Sequence, residues 1–193
     1  MRTAGIVLAG GAARRLSGVD KPMLELDGVP LLRRVITALA GAGPIVVVGP
    51  ERPGMPDVRW AQESPPGGGP VAALAAGLAL MPGDTGIVVV LAGDLVAVRK
   101  STVDKLVGAL GAADGAVLTD DEGRFQWLIG AWRPGRLREV LPASPEGKAL
   151  RAVLGGLSIV PVPGAPGESA DVDTPRDLDR LTRSSQPSYR TLS

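Results

Sequence analysis

Three short, unbroken apolar runs constrain this chain more than any other feature: Gly5 to Ala9, Ile45 to Val48 and Ile87 to Leu91. They are rich in Val and Ile and do not alternate with polar residues, the pattern of parallel strands buried on both faces. Parallel neighbours need long crossovers, and segments of helical spacing lie between the runs. Pro30 to Leu39 opens with Pro, suited to a first helical position, and runs out at Gly41. Gly69 to Leu80 is rich in Ala and Leu and stops at Met81-Pro82-Gly83. A third helix is expected over Ser101 to Leu110, with Ser101 as N-cap and Asp104 as a weak box partner. This alternation predicts an α/β layered fold with right-handed crossovers.

The second half predicts strands at Gly115 to Leu118 and Gln126 to Trp132, the latter ending at Arg133-Pro134-Gly135. A short helix over Lys148 to Leu154, a strand over Leu157 to Val162, a Pro/Gly loop from Pro161 to Gly167 and a last helix over Thr174 to Leu181 follow. No repeat or linker divides the chain, so residues 1–183 read as one domain and polar residues 184–193 as a disordered tail.

Composition then narrows the chemistry. The 193 residues contain no Cys and no His, which removes disulfides, thiol catalysis, the usual zinc sites and every Ser-His or Cys-His triad. Carboxylates, Lys, Arg, hydroxyls and backbone amides remain, a set suited to phosphoryl and nucleotidyl transfer, where positioning and charge neutralisation carry most of the catalysis. Lys plus Arg number 21 against 20 Asp plus Glu, so no basic excess marks a nucleic-acid or membrane-surface binder, and any phosphate site must be local. No run approaches a membrane span, and the first apolar run reads as a strand rather than a signal peptide, so a cytoplasmic protein is expected.

The first run ends in Leu8-Ala9-Gly10-Gly11, followed by Arg14, Arg15 and Lys21. Paired glycines let backbone amides approach a polyphosphate, and three cations in or near one loop could neutralise it. The spacing is neither a Walker loop nor the dinucleotide fingerprint. A glycine turn with solvated basic residues is the plainer alternative. Glu63-Ser64-Pro65-Pro66-Gly67-Gly68-Gly69-Pro70 leads into a helix, exposing backbone groups that could read a base, or forming only a flexible loop. Asp94 closes the third apolar run, where open α/β sheets bind ligands and where a carboxylate could hold Mg²⁺ or cap the next helix. Asp171 and Asp173 alternate on an extended segment and could share that metal, with Asp173 or Thr174 also capping a helix that has Pro175 at its first position.

Leu8 to Lys21 resembles the L-A-G-G-x-x-x-R-M-G-x-x-K signature of nucleotidyltransferases, with Leu16 and Ser17 in place of Met and Gly. Within that superfamily the chain is similar to the MobA-type molybdenum cofactor guanylyltransferases, continuing through Leu24-Glu25-Leu26-Asp27-Gly28-Val29-Pro30-Leu31 and covering nearly the whole chain in order. The resemblance implies a three-layer α/β/α Rossmann-like nucleotidyltransferase fold with a mostly parallel sheet, GTP and molybdopterin as substrates, and Mg²⁺. It assigns nucleotide binding to Leu8, Ala9, Gly10, Gly11, Arg15, Lys21, Glu63, Gly68, Gly69, Pro70 and Asp94, and the metal to Asp94 and Asp173. Catalysis falls to Lys21, Arg15 and Asp94, and the resemblance leaves room for contacts with other cofactor-biosynthesis proteins.

The departures keep alternatives open. Glu63 replaces an Asp, Gly93 a Cys, and Leu95-Val96 the usual Met-Pro, which points to an altered acceptor side. Asp171-Val172-Asp173 is closer to the D-x-D of related cytidylyltransferases, while Gly10-Gly11 favours the guanylyl type. A sugar-phosphate enzyme and a catalytically idle nucleotide-binding homologue are the other readings. Arg124 could hold an acceptor phosphate and Trp127 pack on a pterin, unless this stretch is simply a core strand.

Overall fold

In the computed structural model, residues 2–10, 20–55 and 57–170 are described. The three apolar runs become adjacent strands at the heart of one sheet. β1 (Arg2–Leu8), the strand formed by the first run, pairs in parallel with β4 (Ile45–Val48) on one side and β6 (Thr85–Ala92) on the other. With β5 (Arg59–Ala61), β7 (Gly115–Thr119), β8 (Phe125–Trp132) and β9 (Ile159–Pro163) they form a seven-stranded sheet in the order β5-β4-β1-β6-β8-β7-β9. Every pairing is parallel except those of β8, which runs against both β6 and β7.

Alternate residues of the central strands divide the core into two faces, as a pleated strand requires. Val7, Val47, Val89 and Leu91 pack with α1 (Leu31–Ala38) and α3 (Lys100–Ala109) through Leu32, Val35, Val103 and Leu106. Ile6, Val46, Val48, Val88 and Val90 pack on the opposite face with α2 (Pro70–Ala79), α4 (Pro134–Val140) and α5 (Leu150–Leu154) through Leu74, Leu78, Leu137 and Leu154. The expected three-layer α/β/α arrangement is therefore present. Gly77 allows α2 to sit close on the sheet, because a Cβ there would stand 2.8 Å from Ile6 and 3.1 Å from Val48. Trp132, fully buried at the end of β8, lies over Gly115 and Gly130, where added Cβ atoms would fall 2.4 and 2.8 Å from its ring.

Some local readings change. Arg99, not Ser101, is the N-cap of α3, and its backbone N–H donates to Thr102 Oγ1, while Asp104 pairs with Lys100 across one helical turn. A helix, α4, begins at Pro134, where the sequence suggested only the end of a strand; Pro fits its first turn because that position needs no N–H partner. The short ribbon of β2 (Glu25–Leu26) and β3 (Val29–Pro30) closes through Asp27 and Gly28, both at positive φ, the geometry that a two-residue Asp-Gly turn supplies. The expected helix over Thr174 to Leu181 and the tail lie outside the described residues. Among the described residues no helix is long and apolar enough to cross a membrane.

Strand order positions the site. From β1 the chain moves outward to β4 and β5, then crosses back to β6 on the other side of β1. The connections leaving β1 and β6 thus part in opposite directions at the carboxyl edge, and such a switch point opens a crevice in an α/β sheet.

Candidate active site

A cleft of about 410 Å³ occupies that carboxyl edge. Backbone hydrogen bonds hold the strand ends together beneath it: Gly93 N–H donates to Leu8 O at 2.9 Å, Ala9 N–H to Val48 O at 2.8 Å, and Gly49 N–H to Ala61 O at 2.8 Å. Close packing adds to this. A Cβ on Gly93 would come within 2.9 Å of the Ala9 Cβ, and one on Gly49, at φ +145°, within 2.8 Å of the Ala9 carbonyl. Small residues are therefore needed where β1, β4 and β6 end.

The cleft gathers most of the residues singled out from the sequence. Leu8, Ala9 and Gly10 line it from the end of β1, Lys21 from a 3₁₀ turn (Lys21–Met23), and Asp94 from just beyond β6. Glu63, Gly69 and Pro70 line the side formed after β5. Gly68 stands behind them: its carbonyl accepts from Gly147 N–H at 2.9 Å, and a Cβ would meet the Ala72 methyl at 3.0 Å. Gly11, Arg14, Arg15, Asp171 and Asp173 lie outside the described residues.

Glu63 is the most buried charged residue of the cleft lining. Its side chain is 6 % exposed, and Oε1 accepts from Gly67 N–H at 3.0 Å. Oε2 is buried with no hydrogen-bond partner among the described residues. Burying a carboxylate oxygen without a donor is costly, so a donor supplied by a bound ligand would be strongly favoured. Gly10 faces this carboxylate, its missing Cβ position only 3.5 Å from Oε1, and Gly69, at φ +90°, turns the chain into α2. The amino end of that ten-residue helix opens on the same cleft through Gly69, Pro70 and Ala73 and adds a positive field.

Two charged lining residues, Arg52 and Asp20, were given no role by the sequence reading. The Arg52 side chain is 8 % exposed and forms a fork-to-fork pair with Asp20, Nε to Oδ2 and Nη2 to Oδ1, both at 2.7 Å. The signal was a basic residue just after the Gly49-Pro50 turn, at the carboxyl end of a recognised strand. Leu128 and Pro22 add apolar walls.

Other candidates fall away from the cleft. Arg124 is two-thirds exposed and pairs with Asp120 at 2.9 Å and Glu122 at 2.8 Å, outside the cleft lining. Trp127 packs on Phe125, ring centroids 5.4 Å apart, and on the α2/α4/α5 core; the core-strand reading of this segment holds. Leu95 and Val96, which depart from the family pattern, turn inward. Leu95 joins the α1/α3 core, and Val96 packs with Leu26 and Leu31 while its N–H donates to Ala170 O at 3.2 Å.

Comparison with known proteins agrees with this architecture. Residues 5–161 match the MobA-like NTP transferase domain. The molybdenum cofactor guanylyltransferase of Rhodobacter capsulatus is 30 % identical over 191 residues, covering 93 % of this chain and 95 % of that protein. Among solved structures, a nucleotidyl transferase from Methanothermobacter superposes with a TM-score of 0.75 at 23 % identity, covering 95 % of this chain and 99 % of that one. The molybdopterin-guanine dinucleotide biosynthesis protein A of Archaeoglobus fulgidus gives 0.66 at 21 % identity, covering 95 % and 98 %. With its switch-point cleft, its glycine-rich strand exit and a domain match spanning most of its length, the chain belongs to the MobA-like NTP transferase family.

Proposed function

We propose that the chain transfers GMP from GTP to the terminal phosphate of molybdopterin, releasing pyrophosphate. The observation that carries this reading is the buried, unpartnered Oε2 of Glu63 beside Gly10 and the amino end of α2. Such an oxygen needs a donor. Guanine presents N1–H and N2–H₂ side by side, whereas the corresponding edge of cytosine sets one donor group beside an acceptor. The name of the Rhodobacter relative points the same way.

In the proposed reaction an oxygen of the acceptor phosphate attacks the α-phosphorus of GTP in line. The bond to the bridging oxygen of the β-phosphate breaks, and pyrophosphate leaves with the electron pair. A phosphate dianion is already a nucleophile, so no general base is required, consistent with a chain that lacks His. Lys21, which lines the cleft, would neutralise charge building on the α-phosphate, with Arg15 assigned the same work by the family motif.

Asp94 offers a hard oxygen donor in the same cleft, suited to Mg²⁺, which takes one or two carboxylates and fills its remaining positions from water and phosphate. Asp173 is the proposed second ligand. When bound, the ion would supply further neutralisation of the triphosphate.

Turnover is favoured over an idle homologue because Leu95 and Val96 are absorbed into the core and leave the cleft lining intact. Calorimetry with GTP, CTP, ATP and UTP in the presence of Mg²⁺ tests the base, with GTP expected to bind tightest; tighter CTP binding would move the chain to the cytidylyl branch. Pyrophosphate release with GTP and molybdopterin tests turnover, and its absence with GTP bound would leave only a nucleotide-binding role.

A further inference from the structure

Arg52 makes more contacts than a surface ion pair needs. Its Nη2 donates at once to Asp20 Oδ1 at 2.7 Å and to the main-chain carbonyl of Ala9 at 3.1 Å. Its Nε donates to Asp20 Oδ2 at 2.7 Å, and its Nη1 to Pro50 O at 3.1 Å. One planar guanidinium therefore joins three chain segments: the exit of β1 at Ala9, the turn after β4 at Pro50, and Asp20. Ala9 is followed directly by Gly10, and Asp20 by Lys21, two residues that line the cleft.

The seat of this guanidinium is itself fixed. Gly49 lies with its Cα against the Ala9–Gly10 backbone, leaving no room for a Cβ. The Arg52 side chain is 8 % exposed, whereas Asp20 is 45 % exposed. A surface pair at this exposure on both sides would contribute little, but here the arginine is buried and its fork is filled by charge-assisted bonds of specific geometry.

We propose that Arg52 is a positioning residue for nucleotidyl transfer: by clamping the Ala9 carbonyl and the Asp20 carboxylate together, it fixes the separation of Gly10 and Lys21 to suit a nucleoside triphosphate. This rests on the assignment of the cleft to a nucleotide and adds a residue to which that assignment gave no role. With its fork filled by protein oxygens, Arg52 acts through its neighbours. Lysine cannot substitute, because a point ammonium cannot serve both Asp20 oxygens and the Ala9 carbonyl in one plane.

The test is a double-variant cycle on the full chain, using Arg52→Lys, Asp20→Asn and the pair together. Calorimetric GTP affinity is expected to fall about tenfold in each single variant and little further in the double, since the two act as one unit. Guanosine, which has no phosphates to reach Lys21, should lose less affinity than GTP does, a separation that general loosening of the fold would not produce. Asp20→Glu, which keeps the charge, should recover part of the loss. Hydrogen exchange in the nucleotide-free protein should rise together at peptides containing Gly10 and Lys21 in both single variants. That readout needs no ligand, so it decides on the clamp even if the wild-type protein binds no GTP and the nucleotide assignment itself fails. Asp20→Asn changes a half-exposed side chain and gives the answer alone if Arg52→Lys does not fold. Unchanged GTP binding and exchange in Asp20→Asn would overturn the proposal. So would a loss confined to Arg52→Lys, which would mean that the guanidinium touches phosphate itself, or simple additivity in the cycle.

Discussion

The two halves of the sheet handle charge in opposite ways. At the carboxyl edge of the parallel half, Asp20, Lys21, Arg52, Glu63 and Asp94 converge on one cleft, and Glu63 is buried with an unmatched oxygen. Around β7 and β8 the charged groups form local pairs at the surface, Asp120 with Arg124 and Asp114 with Arg136, while the strands bury Trp132 between glycines. One region holds a buried oxygen unmatched among the described residues, which a ligand could satisfy; the other pairs its charges at the surface. Substitutions should therefore separate function from stability according to the half they fall in.

The largest functional effect is expected at Lys21. Lys21→Ala should lower turnover by about a hundredfold or more, the range for removing a donor that meets developing charge, with little change in Tm because the position lies at a turn. Retention of most activity would break the assignment of the parallel half as the reaction centre.

Glu63→Gln should sharpen it. Replacing the buried carboxylate removes an unpaired charge, so Tm should hold or rise, while GTP affinity should fall by about tenfold or more with the loss of a charge-assisted bond. Better folding with poorer binding is the mark of a group kept for function at a cost in stability. A drop in Tm with unchanged GTP binding would show instead that Glu63 serves the Gly67 loop alone.

The strands of both halves were legible from the sequence apart from the three-residue β5. The cleft wall was legible because its signals are local: unbroken Val and Ile runs, glycines at strand exits and a carboxylate at a strand end all sit within a few residues of one another. What escaped depended on tertiary placement. The partnership of Arg52 with Asp20 spans 32 residues, and nothing in either neighbourhood announces it. The turn of Leu95 and Val96 into the core depends on Leu26, Leu31 and the returning segment at Ala170. Arg124 and Trp127 looked functional by residue type, yet a carboxylate four residues back and an aromatic two residues back use them locally. The Asp27-Gly28 turn carried a readable signal that the helical pattern beginning at Pro30 obscured.

In the antiparallel half the largest effect should be on stability. Gly130→Val would force side-chain atoms against the Trp132 indole, whose Nε1 stands 2.8 Å from the Cβ position, and against Ala116 O at 3.2 Å. Both neighbours are buried and backed by the sheet, so overpacking should cost about 1–3 kcal/mol in denaturant unfolding. GTP affinity of the folded fraction should be unchanged. If binding fell in step with stability, the two halves would be energetically one unit.

The smallest effect is expected at the Asp120 turn, and it carries a pH signature. Asp120 accepts from Arg124 N–H at 2.9 Å, from Arg124 Nε at 2.9 Å, from Glu122 N–H at 3.0 Å and from Gln126 Nε2 at 3.0 Å. The Arg124 backbone bond is the leading cause, with the Arg124 side chain next, that holds this carboxyl below its ordinary value of 3.8 against partial burial. A carboxyl depressed in the folded state contributes stability above its unfolded pKa and loses it as the pH falls through the folded one. The Tm of Asp120→Asn should therefore lie below wild type at neutral pH, and the gap should begin to narrow as the pH falls below about 4 and close only below the depressed folded value, where Asp120 is neutral in both states. Arg124→Ala should leave turnover within about twofold, as expected for an exposed pair. A large loss of turnover in that variant would carry the acceptor site onto the β7–β8 turn and undo the division between the two halves.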